Sequence, residues 1–401
     1  MRAVAAAGEE SREMRITVIS HAYQDERYLK TLDAMAKLPA IELSLIHPNA
    51  YQGVECCWEK PHSVLDLPVP VVFGARQGAF LYRPFALARA LDVSDPEVIL
   101  HEQEVYALGS AQIAFAACRR FVPLVQFVWE NVDRSFSFPR RALRGFVLER
   151  VSEIIAGSAL AIEIHREWGF GGRIAKSPQM GVTVCSAPSV RPARHSKGLK
   201  TFKACFVGRL VLCKGVDCLL RAIEGLYRRG ITISCVIAGE GGERRRLERL
   251  AERLGVWTQV RFLGQLAEEQ VRDLLRSSDA LVLPSRKTPA WEEQFGLVLA
   301  EAMAEGTVTV GSKTGAIPEV IGMEELLFEQ DDVEGLVAIL DRLATDSQFF
   351  LDCKRSLWQR ARDKFSAERI AVEKVELLQR ALRSSTLIGC DAVGVDQELR
   401  A

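Results

Sequence analysis

Neither sign of charge is in excess in this chain: 52 Lys and Arg stand against 52 Asp and Glu across 401 residues. That balance gives no electrostatic reason to expect nucleic acid, or any other strongly charged molecule, as a partner. No apolar run reaches the roughly 18 residues a membrane-spanning helix needs; ALGSAQIAFAAC is broken by Gln112 and is too short. Cysteine occurs ten times but never as Cys-x-x-Cys: Cys56 and Cys57 are adjacent, and Cys213 and Cys218 are five positions apart. The spacing excludes the usual zinc frameworks and fits reduced, mostly buried thiols of a cytoplasmic protein. The opening MRAVAAAGEESRE lacks the apolar core of a secretory signal, so 1–14 is expected to be a flexible tail, with Met14 a candidate start.

What is present is ample apolar material, 48% of residues, at a length sufficient for two cores. Short β-branched runs alternate with longer helical patterns: RITVIS, IELSLIH, EVILH, LVQFVW and EIIAGS first, then KACFVGRL, ISCVIAGEG, VRFLGQL, DALVLPS and TVTVGS. Two parallel α/β domains follow, over 15–190 and 201–365, each a doubly wound Rossmann-like unit. Between them the Pro-, Ser- and Arg-rich CSAPSVRPARHSKGLK reads as a linker centred on 191–200. A charged helical pattern over 366–385 is expected to pack across the domain junction, and 386–401, without periodicity, to be disordered.

Open parallel sheets bind ligands beyond the carboxyl ends of their strands, so two facing sheets make a cleft. In FVGRLVLCKGVD, Gly208 and Gly215 allow close backbone approach, while Arg209 and Lys214 flank a helix start, a combination suited to phosphate. VIAGEGGERRRLERLA lacks the order of a dinucleotide fingerprint, and its charges read as a solvated helix face. PSRKTPAWEEQFGLVLAEAMAEG poses a question, because a helix from Gly296 places Glu301 as the only charge between Leu297 and Ala304. An unpaired buried carboxylate is costly, so that face must be wet or line a ligand site.

In fixed order, VGRLVLCKG, AGEG, VRFLGQL, ALVLPS, EEQFGLVLAEAMAEG and GAIPEVIG make the C-terminal half resemble retaining GT-B glycosyltransferases, glycosyl transferases group 1. This large family includes sucrose-phosphate synthases and bacterial mannosyl- and glucosyltransferases. The resemblance implies that Glu293 binds the hydroxyls of a donor sugar and Glu301 the ribose of its nucleotide. It places Arg209 and Lys214 on the diphosphate beside Gly208, together with the backbone N–H groups around Phe295, Gly296 and Leu297. The expected co-substrate is a UDP- or GDP-linked sugar, with no other cofactor. No metal is expected either, since the chain contains no Asp-x-Asp. The implied reaction is retaining transfer to a hydroxyl on a glycan, lipid-linked or small-molecule acceptor, in glycan, exopolysaccharide or glycolipid synthesis.

The N-terminal half departs from the family. Gln103 stands where many relatives carry a histidine, and His101, Glu102, Gln103 and Glu104, which follow a strand end, are expected to face the cleft as acceptor-side candidates. Glu130 and Asn131 after LVQFVW, and His21 after RITVIS, are placed to face the cleft, whereas His47, His62, His165 and His195 are not. FPRRALRGFVLER reads as a surface helix, though Arg140, Arg141 and Arg144 with Phe138 and Phe146 also suit peripheral contact with an anionic inner-membrane face. Two other readings stand beside transfer: a nucleotide-sugar epimerase or hydrolase using Glu104 or Glu130 as acid or base, and a non-catalytic nucleotide-sugar binder.

Overall fold

The computed structural model describes residues 13–24, 26–51, 54–55, 61, 63–74, 78–186 and 202–398. Most of the expected N-terminal tail, the whole linker 191–200, His62 and His195 lie outside the described residues.

The first sheet has seven parallel strands: β1 (Met14–Ser20), β2 (Ile41–Pro48), β3 (Val64–Val69), β4 (Val98–Glu102), β5 (Leu124–Val128), β6 (Glu153–Ala156) and β7 (Arg173–Lys176). Their spatial order is β7-β6-β5-β4-β1-β2-β3. Strands β4, β5 and β6 are buried along their whole length, as expected of strands covered on both faces. The order reverses between β1 and β4, and His21 follows β1 at that switch point.

The second sheet has six parallel strands: β8 (Phe202–Val207), β9 (Ile233–Ala238), β10 (Val260–Gly264), β11 (Ala280–Leu283), β12 (Val308–Ser312) and β13 (Leu327–Phe328), in the order β10-β9-β8-β11-β12-β13. Here the switch point lies between β8 and β11, which puts Gly208–Arg209 and Pro284–Ser285 at the mouth of the sheet.

Thirteen α-helices lie among the described residues. Those the site uses are α1 (Glu26–Ala36), then α2 (Pro84–Ser94), α3 (Leu108–Arg120), α4 (Phe138–Leu148) and α5 (Ala159–Glu167), which belong to the first domain. The second carries α6 (Val216–Arg228), α7 (Arg244–Arg253), α8 (Glu268–Ser277), α9 (Leu297–Ala304), α10 (Ile317–Ile321), α11 (Val333–Thr345) and α12 (Ser347–Arg360). After one π-helical turn at Ala361–Phe365, α13 (Ala367–Glu398) returns to the first domain.

Ala371, Val375, Leu378 and Ala381 of α13 join the core formed by Leu29, Leu32 and Met35 of α1. On the same helix, fully buried Lys374 donates from Nζ to Glu102 Oε1 at 2.9 Å and to the Gln179 carbonyl at 2.6 Å. The second domain is thereby fastened to the first by its own C-terminal helix. That helix continues to Glu398, past the end at 385 that the sequence led us to expect.

Candidate active site

The loop after β8 passes through a tight turn into α6, and Gly215 at that turn has φ 63°. A Cβ there would lie 1.9 Å from the Pro284 carbonyl oxygen, so only glycine lets the loops after β8 and β11 touch. This contact brings Lys214 to Glu293: Nζ donates to Oε2 at 2.6 Å. Ser285, following β11, donates its hydroxyl to the same oxygen at 2.9 Å, and the Trp291 ring lies 4.7 Å from the Lys214 ammonium.

The backbone of Glu293 is held as firmly as its side chain. Its carbonyl accepts from Ala316 N–H and, across the cleft, from Asn131 Nδ2, each at 2.9 Å. Gly296 then caps α9 in the left-handed conformation, φ 74°, which presents the first turn of that helix to the cleft.

A cavity of about 1140 Å³ runs along this wall, lined by Gly208, Arg209, Lys214, Glu293, Gly296 and Glu301 among others. Arg209 is exposed and enters no salt bridge among the described residues. Glu301 is half-buried on the wall, which explains a carboxylate in an apolar helix: its face of α9 borders the cleft, not the core. A second cavity, about 570 Å³, shares Arg209, Glu293, Gly296 and Leu297 and adds Phe295. Its other wall is the first domain, with His21, Tyr28, Phe127, Trp129 and Met180.

Of the acceptor-side candidates, the structure puts only His21 on the cleft. Three rings surround it, Tyr51 at 5.2 Å, Phe80 at 5.8 Å and Trp129 at 6.2 Å. Burial pushes its pKa down to about 4, so the imidazole is neutral at physiological pH.

The other candidates lie elsewhere. His101 is inside β4, with Nδ1 3.1 Å from Gln126 Oε1, and is lowered to about 4 by burial. Gln103 is buried, and its side-chain oxygen would meet a Cβ on Gly109 at 2.6 Å, so it wedges against α3. Glu104 is buried with Oε1 accepting from Trp129 N–H at 2.7 Å and Glu130 N–H at 2.8 Å. Glu130 is buried too, accepting from the Tyr106 hydroxyl and from Arg134 Nε, each at 2.7 Å. Asn131 is also buried and reaches the site only through the Glu293 carbonyl. The expectation that the segment after β4 faces the cleft therefore fails: Glu104 turns inward onto backbone N–H groups through Oε1, and the Gln103 amide is buried with neither polar atom hydrogen-bonded among the described residues.

Two residues that the sequence did not single out belong to the site, Ser285 and Trp291, and Trp129, which precedes Glu130 and Asn131 after LVQFVW, lines its other wall. Ser285 directly follows a strand ending at the switch point, and that position was the available signal. Trp291 was legible only as a loop aromatic beside acidic residues.

Two doubly wound α/β domains facing one cleft, with the ligand-binding loops of both at its walls, define the GT-B class. Residues 191–362 match the family described as glycosyl transferases group 1. An uncharacterized glycosyltransferase of Methanocaldococcus jannaschii is 34% identical over 179 residues, 44% of this chain and 44% of that protein. A D-inositol 3-phosphate glycosyltransferase of Corynebacterium jeikeium is 37% identical over 150 residues, 35% of each. The matched segment thus spans less than half the length of these relatives. Among solved structures, sucrose-phosphate synthase from Thermosynechococcus elongatus shares the fold over 93% of this chain and all of its own, with TM-score 0.71 and 18% identity. Anabaena HepE in complex with UDP does so over 92% of this chain and all of its own, with TM-score 0.67 and 18% identity.

Proposed function

We propose that the protein transfers a sugar, with retention, from a nucleotide-diphosphate donor to a hydroxyl acceptor. The observation that carries this reading is the Lys214–Glu293–Ser285 cluster at the N-terminus of α9, with exposed Arg209 beside it and Glu301 further along the wall. An ammonium has three donors, so Lys214 keeps two for phosphate oxygens while it holds Glu293. Glu293 uses Oε2 for both partners, which leaves Oε1 to accept from sugar hydroxyls. Glu301 is set to accept from ribose hydroxyls.

As the bond from the sugar carbon to the diphosphate oxygen breaks, its electron pair stays on that oxygen. Arg209, Lys214 and the N–H groups at the start of α9 stabilise the growing charge. The acceptor hydroxyl attacks from the side of His21 and Trp129 and passes its proton to the departing diphosphate. Because the cations do this work, transfer is expected to persist in EDTA. Loss of transfer in EDTA that Mg²⁺ or Mn²⁺ restores would count against the scheme.

UDP as the nucleotide is supported by HepE, whose structures contain UDP and UDP-glucose. An epimerase or hydrolase would need Glu104 or Glu130 as acid or base, and neither lines the cleft cavities. A thermal-shift series with UDP- and GDP-sugars tests the proposal, since a ligand of the folded state raises the melting temperature by mass action. If no nucleotide sugar shifts it and no transfer is detected, the proposal fails.

A further inference from the structure

A separate cavity of about 240 Å³ lies where the two domains meet the start of α13. It shares Gly157, Pro178 and Phe295 with the His21 side of the cleft, so the two spaces are neighbours. Its ionisable lining is Lys176, Glu319, Arg360, Lys364, Arg369 and Glu373, four cations against two carboxylates. Glu319 is already engaged by Lys176 Nζ and by Ala159 N–H, each at 3.3 Å. Arg360 is held by the carbonyls of Glu319 and Val320 at 2.7 and 2.8 Å. Lys364 and Arg369 are exposed and enter no salt bridge among the described residues.

The position of Arg369 is unfavourable in the absence of an anion. Lys364 lies three residues before α13, in the last turn of the π-helical segment that follows α12, and Arg369 sits in the first turn of α13, the positive end of that helix's dipole. Glu368 of the same turn does not line the cavity. Lys364 also rides on the π-helical turn, a rare geometry that recurs at functional sites. Lys176 comes from the first domain and the other cations from the second domain and its return segment, so one anion between them would bridge the molecule.

We propose that this junction cavity binds a phosphate-class anion, held between Lys176, Lys364 and Arg369. Its occupancy is communicated to the cleft through Phe365, which follows Lys364 and packs edge-on against Phe295 with centroids 5.6 Å apart. The phosphate is either part of the acceptor or a free ion; the acceptor form rests on the glycosyltransferase reading, whereas anion binding itself does not.

The test is calorimetric titration of the full chain with inorganic pyrophosphate, in the wild type, in Arg209→Ala and in Lys364→Ala/Arg369→Ala. Two binding components are expected in the wild type. Arg209→Ala should keep the junction component, and the double variant should weaken it at least about ten-fold, the loss of one or two charge-assisted contacts. Arg369→Glu, a single exposed change, should weaken it further.

Pyrophosphate binding that Arg209→Ala abolishes and the junction variants leave untouched would overturn the proposal while sparing the cleft reading. The opposite pattern would support the cavity and remove the cleft's phosphate site. Free phosphate added to a transfer assay separates the sources: an acceptor phosphate gives competition against acceptor alone, and a free effector changes kcat without that competition. Transfer unaffected by phosphate, together with wild-type binding in both junction variants, leaves the idea without support.

Discussion

Glu104 is held protonated by its surroundings. Burial pushes its pKa up to about 8, outweighing the two N–H donors on Oε1 that favour the charged form. Its Oε2 lies 3.8 Å from His165 Nε2, and His165, lowered to about 4 by burial, has its Nδ1 2.7 Å from the Ala161 carbonyl. A neutral acid facing the acceptor nitrogen of a neutral imidazole is the consistent state of that pair.

A carboxyl whose folded pKa is raised stabilises the fold fully below its ordinary 4.5 and loses that contribution as pH rises through about 8. Glu104→Gln mimics the protonated form, so its melting temperature should fall less than the wild type's between those limits. Transfer at neutral pH should be unchanged, because the side chain positions the Trp129–Asn131 turn without lining the cleft. Equal pH slopes for the two proteins in calorimetric scans would remove this account. The cleft carboxylate behaves differently: Glu301→Ala should weaken nucleotide diphosphate binding by about 1.5 to 3 kcal/mol in titration calorimetry. Arg209→Ala should lower turnover by roughly 10²-fold, because charge builds up on the diphosphate oxygen as its bond to the sugar breaks.

Among the elements, the turn between β8 and α6 decides whether the site assembles. Gly215→Ala must strain a left-handed backbone and push against the Pro284 carbonyl, so it should destabilise by more than about 1 kcal/mol. It should also lower turnover, because the Lys214–Glu293 contact depends on that turn. A folded Gly215→Ala variant with wild-type kinetics would show that the two loops tolerate separation. In the first sheet the sequence pattern missed β3 and β7, which are its two edge strands. Arg173–Lys176 has no fully buried residue, and Val64–Val69 is buried only at its two ends. Neither has the continuous apolar run that marked the central strands.

Across the whole molecule, domain association rests on a small set of contacts that the sequence could not pair. Lys374 and Glu102, 272 positions apart, are both fully buried. Removing one partner of a buried pair leaves the other uncompensated, so Lys374→Ala should cost about 3 to 5 kcal/mol. Glu102→Gln added to it should restore part of that loss, as a double-mutant cycle by denaturant unfolding would measure. At the cleft mouth, Asn131→Ala removes a side-chain bond to the Glu293 carbonyl; donor KM should rise a few-fold with little change in melting temperature.

The sequence by itself determined the two-domain parallel α/β architecture, because strand composition and strand–helix alternation are local properties read within a few residues. It also determined the C-terminal wall of the site, since Arg209, Lys214, Glu293 and Glu301 each lie within a short motif next to a strand end or helix start. Tertiary structure alone decided the acceptor side. Whether Glu104 turns to solvent or inward depends on N–H groups of Trp129 and Glu130, 25 and 26 positions away, which no local pattern encodes. The same holds for Lys374, whose helix was legible but whose partner was not. Charges in the interior are placed by the groups that neutralise them, and those groups come from other elements brought together only by the fold.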